Sequence, residues 1–553
     1  MALLVAALLA VSWRMSRAWQ GTDLFTDDAY YYTVIARNFV ETGRFTFDGL
    51  SETNGFHPLL FWLEAGGFAI FGTQSCPMSQ YRCLLAGFAV VFLLTIGGCL
   101  AAAHRRAQTD EDAVIQSALL LIACVVLVPH QTAIYLGGME SILVLPLLLL
   151  SGVLAWKQRY AAAGLAALML VMSRLDTLPF VVFPMAIACA WRERHQSRHA
   201  IVTGLKVAVP AIVGLLILMA FHRYRFGHPM PISGALKSCF PGVHFQWHQV
   251  FARPFGGSYR LTLPMAFVVS VVSAGLLLPG GKLSKGVRGV GLTAALLCLV
   301  QLAAFMLFQK WSKPIPVWYF GPSVLLATAA FAVAVANRVG PVRLQRLAAA
   351  AAVAVLAINL LSQGRAWHRG IPPWPTSSRP AMEVAGSMRE LIDFMDRQPS
   401  DSVWACTDCG KLAFFSGRTV VNLDGLVNDF HFQDMLGQQR LAEYLVQRDV
   451  DFLFFLAWDR PQVASRRYEP MYDCRVAPDV ISGDYRQAEF YVYSYRHMVH
   501  SDTVRLPSTA EVWRSSPARD GNVLGGAVIF DLEKARRGWE VARDPREAVR
   551  LRK

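Results

Sequence analysis

Apolar stretches near twenty residues recur along the first two-thirds of the chain, and this constrains the fold more than any other feature. That is the length an α-helix needs to cross roughly 30 Å of hydrocarbon. In lipid the backbone must satisfy its own hydrogen bonds, so such runs fold as helices or not at all. The composition agrees: 54% of the 553 residues are hydrophobic and 17% charged, the wrong balance for an ordinary soluble enzyme. Spans are expected in 1–19, 80–103, 113–130, 137–156, 160–174, 177–191, 200–221, 261–279, 289–308, 318–336 and 346–363. The fold class is therefore mostly α: a polytopic helical membrane domain of about eleven spans, followed by a C-terminal extracytoplasmic α/β domain.

The formal net charge of +14 would suit a nucleic-acid partner, but its distribution excludes one. The basic residues sit in short loops: Arg105 and Arg106; Lys157 and Arg159; Arg192, Arg194 and Arg198; Lys282, Lys285 and Arg288; Arg338, Arg343 and Arg346. All fall on one side of the span series, which the positive-inside rule makes cytoplasmic, with the N-terminus inside and the C-terminal domain outside. Arg14 and Arg17 oppose this assignment, and five loops outweigh them. Met1 to Val11 lacks a basic leader and a small-residue cleavage site, so it reads as a short first span rather than a signal peptide.

The outward connections are of another kind. The first, residues 20–79, is far too long for a simple connector, and long loops are usually functional. Within it, Asp28 to Thr42 has an amphipathic helical pattern with Tyr31, Ile35, Phe39 and Val40 on one face. Thr26 is placed to cap it and Gly43 to end it. Leu59 to Phe71 is apolar yet too short to span, which suits a helix lying in the interface. Further outward loops cover Gln131 to Glu140, Arg174 to Asp176, His222 to Arg260 and Lys310 to Tyr319. The membrane domain is bounded at 1–363 and the soluble domain at 364–553. Ile371 to Pro380 has a linker's composition. Beyond it, helices are expected at Met382–Gln398 and Phe432–Gln447. Strands are expected at Val403–Cys406, Thr419–Leu423, Asp451–Leu456 and Glu489–Tyr495.

Thr26-Asp27-Asp28-Ala29-Tyr30 places two adjacent carboxylates just outside the membrane. They suit a general base, sharing a divalent cation with a phosphate, or merely a helix N-terminus that favours negative charge. Glu52-Thr53-Asn54-Gly55-Phe56-His57-Pro58 is a polar turn in which His57 either contacts a ligand or lies on the surface. Gly137-Gly138-Met139-Glu140 brings a third carboxylate to a span boundary, where ionisable groups are functional candidates. Arg174 and Asp176 close the fifth span and pair with each other or with substrate. Arg225, His228 and Lys237 bracket a rigid Gly-Pro turn; such cations suit a phosphate or a lipid headgroup.

Of the ten cysteines, Cys99, Cys124, Cys189 and Cys298 lie in spans, where a thiol is a small apolar group. Cys406-Thr407-Asp408-Cys409 lacks the second ligand pair of a structural zinc site, so a disulfide is the expectation, within the motif or to Cys474. Cys76 and Cys83 form a second candidate pair. No Walker A, GxSxG or HExxH motif occurs.

The chain resembles the GT-C superfamily of polytopic glycosyltransferases, within it the bacterial branch that includes arabinofuranosyltransferases. The resemblance runs through Asp27-Asp28-Ala29-Tyr30 with Arg37 and Asn38, Thr53-Asn54-Gly55 before His57-Pro58-Leu59, and Gly138-Met139-Glu140. It continues in Arg174-Leu175-Asp176, in Phe226-Gly227-His228-Pro229-Met230-Pro231 with Lys237, and in Gly410, Ser416-Gly417-Arg418 and Asp424-Gly425-Leu426. It implies a polyprenyl-phosphate sugar donor, a glycan, lipid or protein acceptor, and a multi-pass protein of the bacterial inner membrane working on its outer face. Asp28 or Asp27 would be the catalytic base, with inversion at the anomeric carbon. Tyr30, Asn54, His57, Glu140, Arg174, Asp176, Arg225, His228 and Lys237 would bind substrate. If a divalent cation takes part, Asp27, Asp28, His57 and Glu140 are its candidate ligands. The branch places proline directly after the asparagine where this chain has Asn54-Gly55-Phe56-His57-Pro58, so nothing points to arabinose. A lipid-linked sugar transporter or flippase and a non-catalytic envelope-assembly protein are the alternative readings.

Overall fold

The computed structural model describes residues 2–19, 25–104, 107–193, 195–239, 242–251, 262–278, 281–308, 319–369, 391–438, 440–459, 475–477, 485–494, 497–507, 511–514, 518–520 and 523–531. Each of the eleven expected spans is helical. They are α1 (Ala2–Trp19), α4 (Pro77–His104), α5 (Asp110–Leu127), α7 (Ser141–Trp156), α8 (Tyr160–Ser173), α9 (Phe183–Arg192, entered through a π turn at Leu178–Val182), α10 (Ser197–Phe226), α13 (Thr262–Leu277), α14 (Lys285–Phe308), α15 (Gly321–Val339) and α16 (Pro341–Arg369). Between them lie α2 (Asp27–Thr42), α3 (Pro58–Phe71), α6 (Pro129–Tyr135), α11 (Ile232–Lys237) and α12 (His248–Phe251). Five of these helices (α4, α10, α14, α15 and α16) are each long and apolar enough to cross a bilayer, and six further apolar helices are shorter. The chain is a polytopic helical membrane protein.

The turns that carry basic side chains meet at one end of the bundle. Lys282 N–H donates to Asn337 O, Ser284 Oγ donates to Glu111 Oε1, and Arg192 lies over the Trp156 ring. Helix alternation then carries the acidic and aromatic loops to the other end. Arg105, Arg106, Arg194, Arg260, Lys310 and Cys474, the linker 371–380 and the first turns of the expected helix at 382–398 lie outside the described residues.

Helix α2 begins one residue earlier than expected. Thr26 occupies its N-cap position, but its hydroxyl is buried without a partner and makes no cap. Gly43 ends the helix at φ +70, its N–H donating to Phe39 O at 2.8 Å, a conformation glycine adopts without strain. Helix α3 has 14 residues, about 21 Å of helix, too short for the hydrocarbon core. It packs Leu60, Phe61 and Phe68 inward and exposes Trp62, Leu63, Ile70 and Phe71, as a helix half-sunk in an interface should.

After α16 the chain forms a mixed α/β unit. Its main sheet runs β2 (Thr419–Asn422), β1 (Val403–Cys406), β3 (Phe452–Asp459), β9 (Val523–Asp531) and β7 (Glu511–Arg514), with β8 (Ala518–Asp520) also on β9. Strand β1 is parallel to β2 and β3; β9 is antiparallel to β3. A second antiparallel sheet joins β4 (Arg475–Ala477), β5 (Tyr485–Ser494) and β6 (His497–Pro507). The expected helix 432–447 is instead two, Phe430–Gly437 and Leu441–Gln447; Gly437 weakens helix continuity at the break. Asp429 caps the first by accepting from Phe432 N at 2.7 Å. Strands β4 and β6–β9 were not anticipated, because segments such as His497–Pro507 lack a clear apolar alternation and are defined by pairing.

The described cysteines are free thiols, which corrects the expected Cys76–Cys83 and Cys406–Cys409 pairs, while the pairing with Cys474 lies outside the described residues. Cys76 precedes α4 and Cys83 lies within it, and seven residues of helix separate two Cα atoms by about 10 Å, beyond disulfide reach. In the other motif, Cys409 Sγ accepts from Asn422 Nδ2 at 3.3 Å.

The C-terminal unit is not tethered loosely. One continuous apolar cluster joins Phe25, Tyr30 and Tyr31 to Phe414, Leu426 and Val427. Thr53-Asn54-Gly55 staples three segments: Thr53 Oγ donates to Asn428 O at 2.9 Å, and the Asn54 amide donates to Met230 O at 3.0 Å and accepts from Ile232 N at 2.9 Å. A Cβ on Gly55 would stand 2.1 Å from Leu426 O, so this approach requires glycine. Gly55→Ala should loosen the junction by about 1–3 kcal/mol, the usual cost of overpacking. The expected readout is faster amide exchange at residues 424–428; unchanged exchange would contradict the staple.

Candidate functional site

Adjacent residues on an α-helix point about 100° apart, and the Asp27-Asp28 pair is divided accordingly. Asp27 faces the C-terminal unit, where its Oδ2 accepts from Gly410 N and its Oδ1 from Lys411 N, both at 2.9 Å. These amides open the short helix Gly410–Ser416 and would otherwise lack partners. A Cβ on Gly410 would meet Asp27 O at 2.2 Å. Both Asp27 oxygens are thus committed to protein N–H groups.

Asp28 faces the ends of the bundle helices. Among the described residues its carboxylate makes no hydrogen bond or ion pair, yet Lys237, Asp424, Asp27 and Glu140 all act on it electrostatically. Burial pushes its pKa up to about 7; Lys237 opposes the rise and the three carboxylates add to it.

Glu140 reaches this place through the loop before it. Thr26 N–H donates to Gly137 O at 3.1 Å, tying the loop to the start of α2. Gly138, at φ +81, lies against Phe25 and Ala29 where a Cβ would come within 2.9 Å of both. Glu140 is 1% exposed. Its Oε1 lies 3.3 Å from Arg174 Nη1 and 3.8 Å from His57 Nε2, and its Oε2 is buried with no partner. Arg174 also holds Asp176 in a two-point fork, Nε to Oδ1 and Nη2 to Oδ2, each 2.9 Å, the strong planar pairing of guanidinium with carboxylate. The guanidinium lies 4.1 Å from the Tyr319 ring centre, and Lys237 Nζ lies 5.9 Å from the same centre. Burial works against charge on Arg174 and Lys237. Asp176 first carries Arg174 back above its ordinary pKa, and Tyr319 and Asp28 do so for Lys237. Burial holds His57 below the usual histidine range, with Glu140 pulling the other way. The result is a cationic wall, Arg174 and Lys237 about the Tyr319 ring, of which Lys237 acts on the Asp28 carboxylate.

Four of the sequence-chosen residues stand apart from this wall. Tyr30 is fully buried among Phe25, Tyr81, Phe414 and Phe415 and anchors the fold. Asn54 is the staple already described. Arg225 pairs with Glu52 at the surface. His228 stacks on Phe430 at 4.3 Å. Asp28, His57, Glu140, Arg174, Asp176 and Lys237 do come together. Asp424, Tyr31, Tyr32 and Tyr319 were not chosen from the sequence as site residues. Tyr31 donates to Asp424 Oδ2 and accepts from Asn422 Nδ2 at 3.3 Å, while Asp424 Oδ1 accepts from Leu426 N at 2.9 Å. Asp424 stands in an Asn-Leu-Asp-Gly stretch whose composition signals a turn; the resemblance through Asp424-Gly425-Leu426 marked it, but gave it no role in the site. Tyr32 follows from periodicity, since Asp28 and Tyr32 share a face at i, i+4.

Among the described residues, no three of His, Cys, Asp and Glu group as a metal site. Asp27 spends both oxygens on amides, and His57 and Glu140 pair with each other. Among the described residues the four expected ligands therefore do not converge as the donor set of one cation.

Fold and site together define a polytopic membrane protein with a recessed ionisable cluster at one end of its bundle, closed over by a C-terminal unit. Residues 380–506, which carry Asn422 and Asp424, match a family model described as Domain of unknown function (DUF8728). The chain is similar to the crystal structure of ArnT from Cupriavidus metallidurans in the apo state, with a TM-score of 0.43 and 16% identity over 82% of this chain and 92% of that one. That likeness is too low to bear on function. No curated protein matches the chain.

The two aspartates should separate experimentally. Asp27→Asn leaves one amide without an acceptor and should speed exchange at Gly410 and Lys411; Asp28→Asn should not. Asp28 also predicts a pH effect. Its raised pKa means the folded state keeps a proton that the unfolded chain releases, so wild-type stability falls as pH rises from about 4 to about 7. Asp28→Asn should match wild type in melting temperature at pH 4 and exceed it increasingly up to pH 8. A constant difference across that range would refute the assignment.

Proposed function

We propose that this protein is a glycosyltransferase that moves a sugar from a polyprenyl-phosphate donor to an acceptor hydroxyl on the extracytoplasmic face of a bacterial inner membrane. Residues 1–363 form its catalytic membrane domain, and residues 364–553 form an extracytoplasmic domain that covers the site. The N-terminus is cytoplasmic on this reading, and the acceptor is a glycan, a lipid or a protein. One observation carries it: at the end of the helix bundle the Asp28 carboxylate, which among the described residues makes no hydrogen bond or ion pair, is pushed by burial to a pKa of about 7 with Lys237 acting on it, and Lys237 shares the Tyr319 ring with Arg174.

A general base works best with a pKa near the ambient pH, and Asp28 meets that condition where Asp27, tied to two amides, does not. Asp28 takes the acceptor's hydroxyl proton. The oxygen forms a bond to the anomeric carbon from the face opposite the phosphate. The carbon–oxygen bond to the donor breaks, and its electron pair leaves on polyprenyl phosphate, inverting the centre. Lys237 and Arg174 offset the charge that develops on the departing phosphate. Asp176 and Glu140 hold the Arg174 fork in place. His57, whose pKa burial lowers, is suited to hydrogen-bond a sugar hydroxyl.

The test is label transfer from a mixed pool of polyprenyl-phosphate sugars by protein in nanodiscs. Asp28→Asn should lose at least 100-fold in rate, the usual scale of general-base catalysis, with donor binding retained. Wild-type rate should rise with pH through about 7. Lys237→Ala should chiefly weaken donor binding. Wild-type activity in Asp28→Asn would reject the assignment, and lipid movement between leaflets without transfer would favour a flippase.

A further inference from the structure

The opposite face of α2 borders a cleft that the proposed chemistry does not use. It has a volume of about 370 Å³ and lies between the C-terminal half of α2, the turn at 44–49, the segment leading into α4, and Gly417–Thr419 of the C-terminal unit. It therefore exists only while the C-terminal unit is docked. Its size is at the small end of the range for ligand pockets, roughly 300–1,000 Å³, but its walls are polar where most such pockets are apolar.

The hydrogen-bonding inventory indicates what would fill it. Gln80 is buried at 5% exposure and stands in the wall of the cleft, where its Nε2 donates to Thr73 O and Ser75 O and holds the segment leading into α4. Glu41 presents an exposed carboxylate, which accepts only. Arg37 gives Nη1 to Phe414 O at 3.3 Å, lies 5.7 Å from the Phe414 ring centre and interacts electrostatically with Glu41; among the described residues its guanidinium makes no further hydrogen bond. The buried Phe47 ring and Pro77 supply apolar surface.

A phosphate or other anion fits this inventory poorly. Arg44 is committed to Gly49 O and Leu50 O, and Arg418 to three main-chain carbonyls. Glu41 and Asp48 put two carboxylates in the lining, which repel an anion. A ligand dense in hydroxyls, each both donor and acceptor, answers Glu41 and Arg37 at once. We propose that this cleft is a saccharide-binding site that holds a part of an acceptor glycan remote from the reacting hydroxyl. Its role as an acceptor subsite rests on the glycosyltransferase reading; its affinity for saccharide does not.

The α2 helix fixes the geometry. Arg37 and Glu41 lie nine and thirteen residues from Asp28, about 14 and 20 Å along the axis, which is the span of a few linked sugar units.

The experiment uses full-length protein in nanodiscs on an array of neutral bacterial envelope oligosaccharides, with phosphorylated and sulfated glycans beside them. Wild type and Asp28→Asn should retain the same neutral oligosaccharides. Glu41→Gln, at an exposed position that leaves the fold unchanged, should reduce retention at least fivefold, and Arg37→Gln should do likewise. Retention of no neutral glycan, retention indifferent to both substitutions, or a preference for the anionic glycans would each overturn the proposal. Retention that depends on Glu41 in a protein without transfer activity would keep the binding site and remove the glycosyltransferase reading. Transfer with no such retention would do the reverse.

Discussion

The two hydrogen bonds from Gly410 and Lys411 to Asp27 are the joint on which the rest of the site depends. They satisfy the opening amides of a short helix with a carboxylate from a helix more than 380 positions away in sequence. Hydrogen bonds to a charged group are worth about 1.5–3 kcal/mol each, and these are reinforced by backbone packed too closely for any residue but glycine at 410. With this joint made, Asp424 and Asn422 stand against Tyr31, Thr53 reaches Asn428, and the end of the bundle is covered.

The same joint explains why two neighbouring carboxylates can differ so much. Helical rotation turns one toward the amides of the C-terminal unit and the other toward the bundle. Asp27 loses water and gains two donors. Asp28 loses water and, among the described residues, gains none, and three further carboxylates act on it. Burial thus makes one a structural latch and leaves the other an unusually basic group. The Arg174–Asp176–Glu140 system is the counterpart: a buried cation held by two acids so that its planar group keeps one orientation beside Tyr319. Breaking such a pair strands a buried charge, which costs far more than an exposed ion pair returns.

Short helices matter to this arrangement. Helices α7 and α8 have 16 and 14 residues, about 24 and 21 Å, and their ends at the site carry Glu140 and Arg174. Polar side chains stand where further apolar turns would have been. Irregular backbone and charge at such a level are tolerated only when packed in protein or lining a cavity, and here they are packed beneath the C-terminal unit.

The membrane class, the helical spans, the short apolar helix α3 and the first strands of the C-terminal unit were legible in the sequence, because each follows from local periodicity and run length. So was the candidacy of Asp28, Glu140, Arg174 and Lys237, since charged groups at span boundaries are conspicuous. What only the tertiary structure decided was which of these meet and what each does. Asp27 became a latch, Tyr30 an anchor and Asn54 a staple, while Asp424, matched in a motif but given no role by the sequence, was brought against Tyr31. The reason is physical: periodicity records which face of a helix is apolar, whereas the state of a carboxylate depends on the donors and charges that distant segments bring to it.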